Sequence, residues 1–277
     1  MPPSETYRAA LTALPVAEWE PYLLAHSNLP GPRGNLELAQ VAADAGTEAQ
    51  FRRWAALGPD VAPENTPACF LAFCGVVGLG VSLARRGGFA SINAPTTVDE
   101  EPAIHGRPAA AQENPPLRTL RPLAADPRWR IREAVAMALQ RWGDADMPAL
   151  LAAMADWARG NPWEQRAAAA ALCEPRLLKQ PEHSAAVLRI LDEITAFIPP
   201  ALAGLRPSQG EREAFKTLRQ GLAYCWSVAV VALPDAGKPL MEQWLASPDP
   251  DIRWIMRENL KKNRLAKMDA EWVARWM

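Results

Sequence analysis

Apolar positions in the stretch "DPRWRIREAVAMAL", residues 126–139, recur every three or four residues: Ile131, Ala134 and Ala138 with Leu139 fall on one stripe. That spacing belongs to one face of an α-helix. It resumes, with breaks at Pro and Gly, from Leu117 to Met277. Nearer the N-terminus the predicted helices are shorter. Ser4 can cap "ETYRAALTAL", Asn35 can cap "LELAQVAADA" before Gly46, and Thr47 with Gln50 reads as a capping box for "EAQFRRWAAL". Thr66 and Pro67 open "ACFLAFCGVVGLGVSLARR", which is apolar nearly all round and is expected to be buried. Alanine and leucine dominate and aromatic β-branched runs are missing, so the predicted class is all-α.

From Gly87 to Pro116 the periodicity stops. Five prolines and an acidic cluster leave little to bury there, which predicts a flexible loop or linker at 88–116. The expected organisation is an N-terminal helical region at 1–87, that linker, and a repeat region at 117–277.

The opening pattern recurs. Counting from Asp126, the template has Ile131 and Arg132 at five and six, Ala138 at twelve and Leu139 at thirteen. Counted from Ser247, "SPDPDIRWIMRENL" supplies Ile252, Arg253 and Leu260 at matching positions, with Asn259 replacing the small residue. A third copy, "NPWEQRAAAAAL" at 161–172, has Gln165 in place of the arginine. Leu139, Leu172 and Leu260 are separated by 33 and 88 residues, and "FKTLRQGLAYCW" at 215–226 can supply the unit between. Such intervals suit stacked helix pairs.

This turn and helix resemble the second helix of a HEAT-like repeat. The resemblance covers about 117–277 and implies a HEAT-like α-solenoid of stacked antiparallel helix pairs, stabilised by contacts between neighbours. It further implies that the turn acids Asp126 and Asp249 and the helix arginines Arg132 and Arg253 bridge adjacent units. It also places the second helices on a concave face. On that face the positions flanking the buried stripe are Arg130, Glu133, Met137 and Arg141 in the first copy. The second copy presents Trp163, Arg166, Ala170 and Glu174, and the last presents Asp251, Trp254, Glu258 and Lys262. Mixed signs and large aromatics favour a protein or peptide partner over a phosphate backbone. The predicted partner-binding residues are Arg130, Glu133, Arg141, Trp163, Arg166, Trp254, Glu258 and Lys262. The competing structural role for the tryptophans is to close gaps between units.

The C-terminal stretch "IRWIMRENLKKNRLAKMDAEWV", 252–273, also resembles the final repeat of HEAT-like DNA alkylation glycosylases. That likeness implies an alternative: alkylation repair on DNA, with Trp129, Trp142 and Asp146 converging in one basic cleft. The family's Trp-x-x-x-Asp pair here follows the Trp129/Arg132 helix instead of preceding it, and Asp146 before Met147 and Pro148 also reads as a helix cap.

Charge changes the picture little. Residues 1–115 carry 7 basic and 12 acidic side chains and the remainder 23 and 19, for a net −1. Neither half has the strong basic excess of a nucleic-acid binder. The run "LKKNRLAK" reads as a solvated helix end. "GVVGLG", 75–80, has the wrong order for a nucleotide-binding loop and no preceding strand, which predicts close helix packing. His26, His105 and His183 are scattered and the four cysteines lack paired spacing, so no metal or cofactor is assigned. No run of about 20 apolar residues is apparent, and the expected location is the cytoplasm, without membrane contact.

Overall fold

The computed structural model describes residues 3–90, 114–198 and 208–277, excepting the side chains of 87–90. Among the described residues the regular structure is entirely helical, with no strand, so the fold is all-α. The loop expected at 88–116 lies outside the described residues except at its ends, which close one helix and open the next. The chain divides into two compact units, Met1–Asp146 and Met147–Met277. Leu117–Asp146, grouped by its pattern with the repeats, therefore packs in the first unit.

The first unit contains α1 (Pro3–Ala13), α2 (Trp19–Ala25), α3 (Leu36–Ala45), α4 (Glu48–Ala55), α5 (Pro67–Ala90), α6 (Pro115–Leu123) and α7 (Trp129–Ala145). Helix α5 is its axis: α2, α3, α4, α6 and α7 all pack on it. Its Pro67–Arg86 segment has mean hydropathy 2.0, enough by length and composition to span a bilayer, and 83% of that window is buried. This corrects the expectation that no such run exists: Cys, Phe, Leu and Val hold the average high although glycines interrupt the run. The apolar surface is spent on protein neighbours. "GVVGLG" is the closest point of that packing. A Cβ on Gly75 would lie 2.4 Å from the Ala55 backbone nitrogen, and one on Gly80 would lie 2.2 Å from the Ala138 carbonyl oxygen.

Three of the expected caps form where the pattern placed them, whereas Ser4 does not cap α1, which already begins at Pro3 and takes Ser4 into its first turn. Asn35 accepts from Leu38 N–H at 3.1 Å, Thr47 and Gln50 close a reciprocal box, and Thr66 Oγ1 accepts from Cys69 N–H at 3.2 Å.

The second unit contains α8 (Met147–Trp157), α9 (Pro162–Leu172), α10 (Pro181–Ala196), α11 (Gln209–Ala232), α12 (Pro234–Leu245), α13 (Pro250–Leu260), α14 (Asn263–Met268) and α15 (Ala270–Trp276). Sequential partners α8/α9, α10/α11 and α12/α13 touch. Neighbouring pairs also meet in two rows, α8–α10–α12 and α9–α11–α13. Trp226 on α11 is fully buried and donates its indole N–H to Thr195 Oγ1 at 3.1 Å.

Local chemistry explains the recurring turn. Arg132 Nη1 donates to the carbonyls of Asp126 at 2.7 Å and Pro127 at 3.0 Å. Arg253 Nη1 repeats this with Ser247 at 2.8 Å and Pro248 at 2.7 Å. In the copy without arginine, Gln165 Nε2 donates to Ala158 O at 3.0 Å, so the shorter side chain satisfies the same turn. Asp249 caps its own helix, accepting from Asp251 and Ile252 N–H. The bridge between adjacent units expected of Asp249 and Arg253 is replaced by these bonds within one turn, where orphan backbone groups at a helix start need partners. Asp126 instead pairs with buried Arg128 at 2.7 Å, and Arg128 also donates to the carbonyls of Leu57 and Ala62.

Asn259, the polar exception at a small position, is fully buried. It accepts from Ser227 N–H at 2.8 Å and donates to Leu222 O at 2.9 Å, fastening α13 to the backbone of α11.

Candidate functional site

Four residues at the start of α7, Trp129, Arg130, Glu133 and Met137, follow a helical face and border a cavity of about 310 Å³. Phe70 and Phe73 from the first turns of α5 form another wall, their rings 6.4 Å apart and nearly parallel. The loop between α2 and α3 completes the cleft with Leu29, Arg33 and Gly34, followed by Leu36 at the start of α3. Trp129 is 47% exposed and Leu36 46%, two large apolar side chains left open to solvent on the lining of one cavity. Gly34 lies over the Phe70 ring at a distance where an added Cβ would make only ordinary contact, 3.4 Å from it.

The loop is braced from both ends. Ser27 Oγ accepts from Leu29 N–H at 3.1 Å, and Ser27 O accepts from Asn35 N–H at 3.0 Å. Asn35 Nδ2 donates to His26 O and Tyr7 Oη, each at 2.9 Å. Asn28 adopts φ 59°, a left-handed conformation that asparagine tolerates better than most residues. Asn65 Oδ1 accepts from Gly31 N–H at 3.0 Å.

Arg130 ties these parts together. Its side chain is only 7% exposed and pairs with Glu64 at 2.5 Å. Its other terminal nitrogen donates to Gly31 O at 2.7 Å and Asn65 Oδ1 at 3.2 Å, while the guanidinium lies 4.5 Å from the centre of the Trp129 ring. Arg130 thus works as a brace beneath the cleft instead of a free contact. Arg33, by contrast, is exposed and has no hydrogen bond or ion pair among the described residues.

The other predicted binding residues do not line this cavity. Arg141 stands at the far end of α7, eleven residues from Arg130 and so roughly 16 Å along the axis. There it bonds Gln40 and Asp44 of α3. Trp163, Arg166, Trp254, Glu258 and Lys262 belong to the second unit. Trp163 and Arg166 are half-buried and engaged with protein groups. Arg166 packs beside Gly221 of α11, where a Cβ would approach it to 3.3 Å. Trp254 is covered by the Arg219 guanidinium at 3.9 Å, and Arg219 pairs with Asp251 at 3.0 Å. Glu258 pairs with Lys261 at 2.5 Å, and Lys262 is half-buried.

Of the three residues that alkylation repair would require in one cleft, only Trp129 borders the cavity. Trp142 is buried, thirteen residues along α7 from Trp129 and so roughly 20 Å away. Asp146 lies beyond it at the helix end, its N–H donating to Trp142 O at 2.8 Å. Among the described residues no cluster of His, Cys, Asp and Glu is arranged to hold a metal ion. The four cysteines are buried free thiols. Burial, reinforced by the nearby Glu64 charge, pushes the Cys69 thiol up to about 11, far from a reactive thiolate at neutral pH.

Residues 130, 133 and 137 were legible as one helical face. Leu29, Arg33, Leu36, Phe70 and Phe73 were not, because the loop "SNLPGPRGN" shows no periodicity and Phe70 and Phe73 read as ordinary core. A lone arginine within a Pro/Gly loop was the available signal.

No family model matches the chain, and no curated protein matches it. Among solved structures, a crystal structure described as an engineered protein, a Northeast Structural Genomics Consortium target, aligns over 97% of this chain and 98% of its own. The two are 14% identical with a TM-score of 0.32, a likeness that carries no argument.

Proposed function

We propose that this protein is a non-catalytic binding protein of the HEAT-like helical-repeat type, and that its first unit receives a segment of a protein or peptide partner. The repeat reading is supported by the paired helices of the second unit, their two rows, and the turn chemistry shared by residues 126–132 and 247–253. The binding reading rests on one observation: Trp129 and Leu36 are left exposed in the lining they share with the paired Phe70 and Phe73 rings. Aromatic anchors in a fixed apolar hollow concentrate binding energy, and a braced wall lowers the entropy lost on association. A cytoplasmic location fits the four free, buried thiols.

The test is a phage-displayed peptide selection on the intact protein, compared with the Met137→Trp variant, whose larger ring fills the cleft. Selected peptides should be retained by the wild type and lost by a variant of equal thermal stability. Equal retention by both would refute the assignment to this cleft.

A further inference from the structure

The geometry points to an occupant more specific than a peptide in general: a bulky apolar side chain with a single carboxylate beside it in sequence. This rests on the peptide-binding reading above and adds the chemistry of the ligand. The cavity, about 310 Å³, is at the small end of ligand pockets, so it takes one or two side chains. Trp129, Leu36, Phe70 and Phe73 make that space suitable for an aromatic or branched group.

Charge decides the neighbour. Arg130 is neutralised by Glu64 at 2.5 Å, and Glu133 is already engaged with another group. Arg33 is the cleft-lining charge whose guanidinium meets no partner among the described residues. A guanidinium accepts a carboxylate through two parallel N–H···O bonds. The backbone carrying it is held in place by the Ser27 and Asn65 bonds, so only side-chain freedom is lost when that pair forms. The surrounding unit is mildly acidic: residues 1–146 carry 16 acidic and 13 basic side chains, a formal −3. That background disfavours a polyacidic ligand and leaves room for one carboxylate at Arg33.

Three fluorescein-labelled, C-terminally amidated peptides test this by anisotropy on the full chain: Gly-Ser-Trp-Glu-Ser-Gly and its counterparts with Gln or Lys in place of Glu. The Glu peptide should bind about five-fold tighter than the Lys peptide, as expected where a solvent-exposed ion pair is exchanged for a like-charge contact, with Gln between them. Arg33→Glu, an exposed change that leaves the fold intact, should reverse the order, and Met137→Trp should abolish binding of all three. Equal binding of the three peptides, insensitive to Arg33→Glu but lost in Met137→Trp, would overturn the carboxylate inference while leaving the cleft assignment standing. No binding by any peptide, or binding that survives Met137→Trp, would overturn the cleft assignment and this inference with it.

Discussion

Replacing Gly80 with alanine tests whether α5 and α7 are held together by backbone approach. The added Cβ would lie 2.2 Å from Ala138 O, 2.6 Å from its Cα and 2.7 Å from its carbonyl carbon, all backbone atoms that cannot rotate away. Restoring ordinary contact requires the helices to part by about 1 Å, enough to forfeit a quarter to a half of the dispersion energy of each atom pair lining the gap. Overpacking of this kind costs up to about 3 kcal/mol, and the better helix propensity of alanine returns about 1 kcal/mol. The net expectation is a loss of about 2 kcal/mol. Urea unfolding followed by far-UV circular dichroism should show a lower midpoint at unchanged slope. Gly210→Ala supplies the opposite sign. Gly210 stands at the start of α11 with no atom near its added Cβ, so the same substitution should stabilise by up to about 1 kcal/mol. A Gly80→Ala protein as stable as the wild type would refute the close-approach argument.

Asp126→Asn removes the charge facing Arg128, whose side chain is 4% exposed, and should cost about 3–5 kcal/mol by urea unfolding; a loss under about 1 kcal/mol would show the pair to be dispensable. Asn259→Ala deprives Ser227 N–H and Leu222 O of their buried side-chain partner and should cost about 2 kcal/mol, with hydrogen exchange accelerating first at Ser227. Burial opposes ionisation of Glu48, but hydrogen bonds and charges from Arg52 and Arg86 outweigh it and hold its carboxyl below the usual 4.5. Its folded-state value is the lower one, so its stabilisation is complete above the unfolded-state value and disappears as pH falls through the folded one. Urea midpoints measured downward from pH 6 should therefore fall less steeply below about pH 4.5 in Glu48→Gln than in the wild type; parallel curves would rule this coupling out.

Helix existence was readable because it depends on neighbours a few residues away. The caps at Asn35, Thr47 and Thr66 and the buried stripe of α7 follow from such local rules. The recurrence of the 126–139 pattern was equally visible, yet its cause lay in which backbone carbonyls the arginine could reach, and only coordinates give that reach. Arg130 illustrates the limit. Its register placed it correctly on the α7 face, whereas its role as a buried brace came from Gly31, Glu64 and Asn65, at least 65 residues earlier in the chain. Trp254 likewise has an outward register, and Arg219 covers it from a different helix.

Local order and composition were thus settled by the amino-acid sequence itself: helices with their starts, an apolar axis at 67–86, and small residues where backbones had to meet. Which surfaces stayed open was decided only when distant segments came together. Helical periodicity says which way a side chain faces, but the neighbour that covers it comes from elsewhere in the chain, and among the described residues Trp129 and Leu36 are left about half exposed.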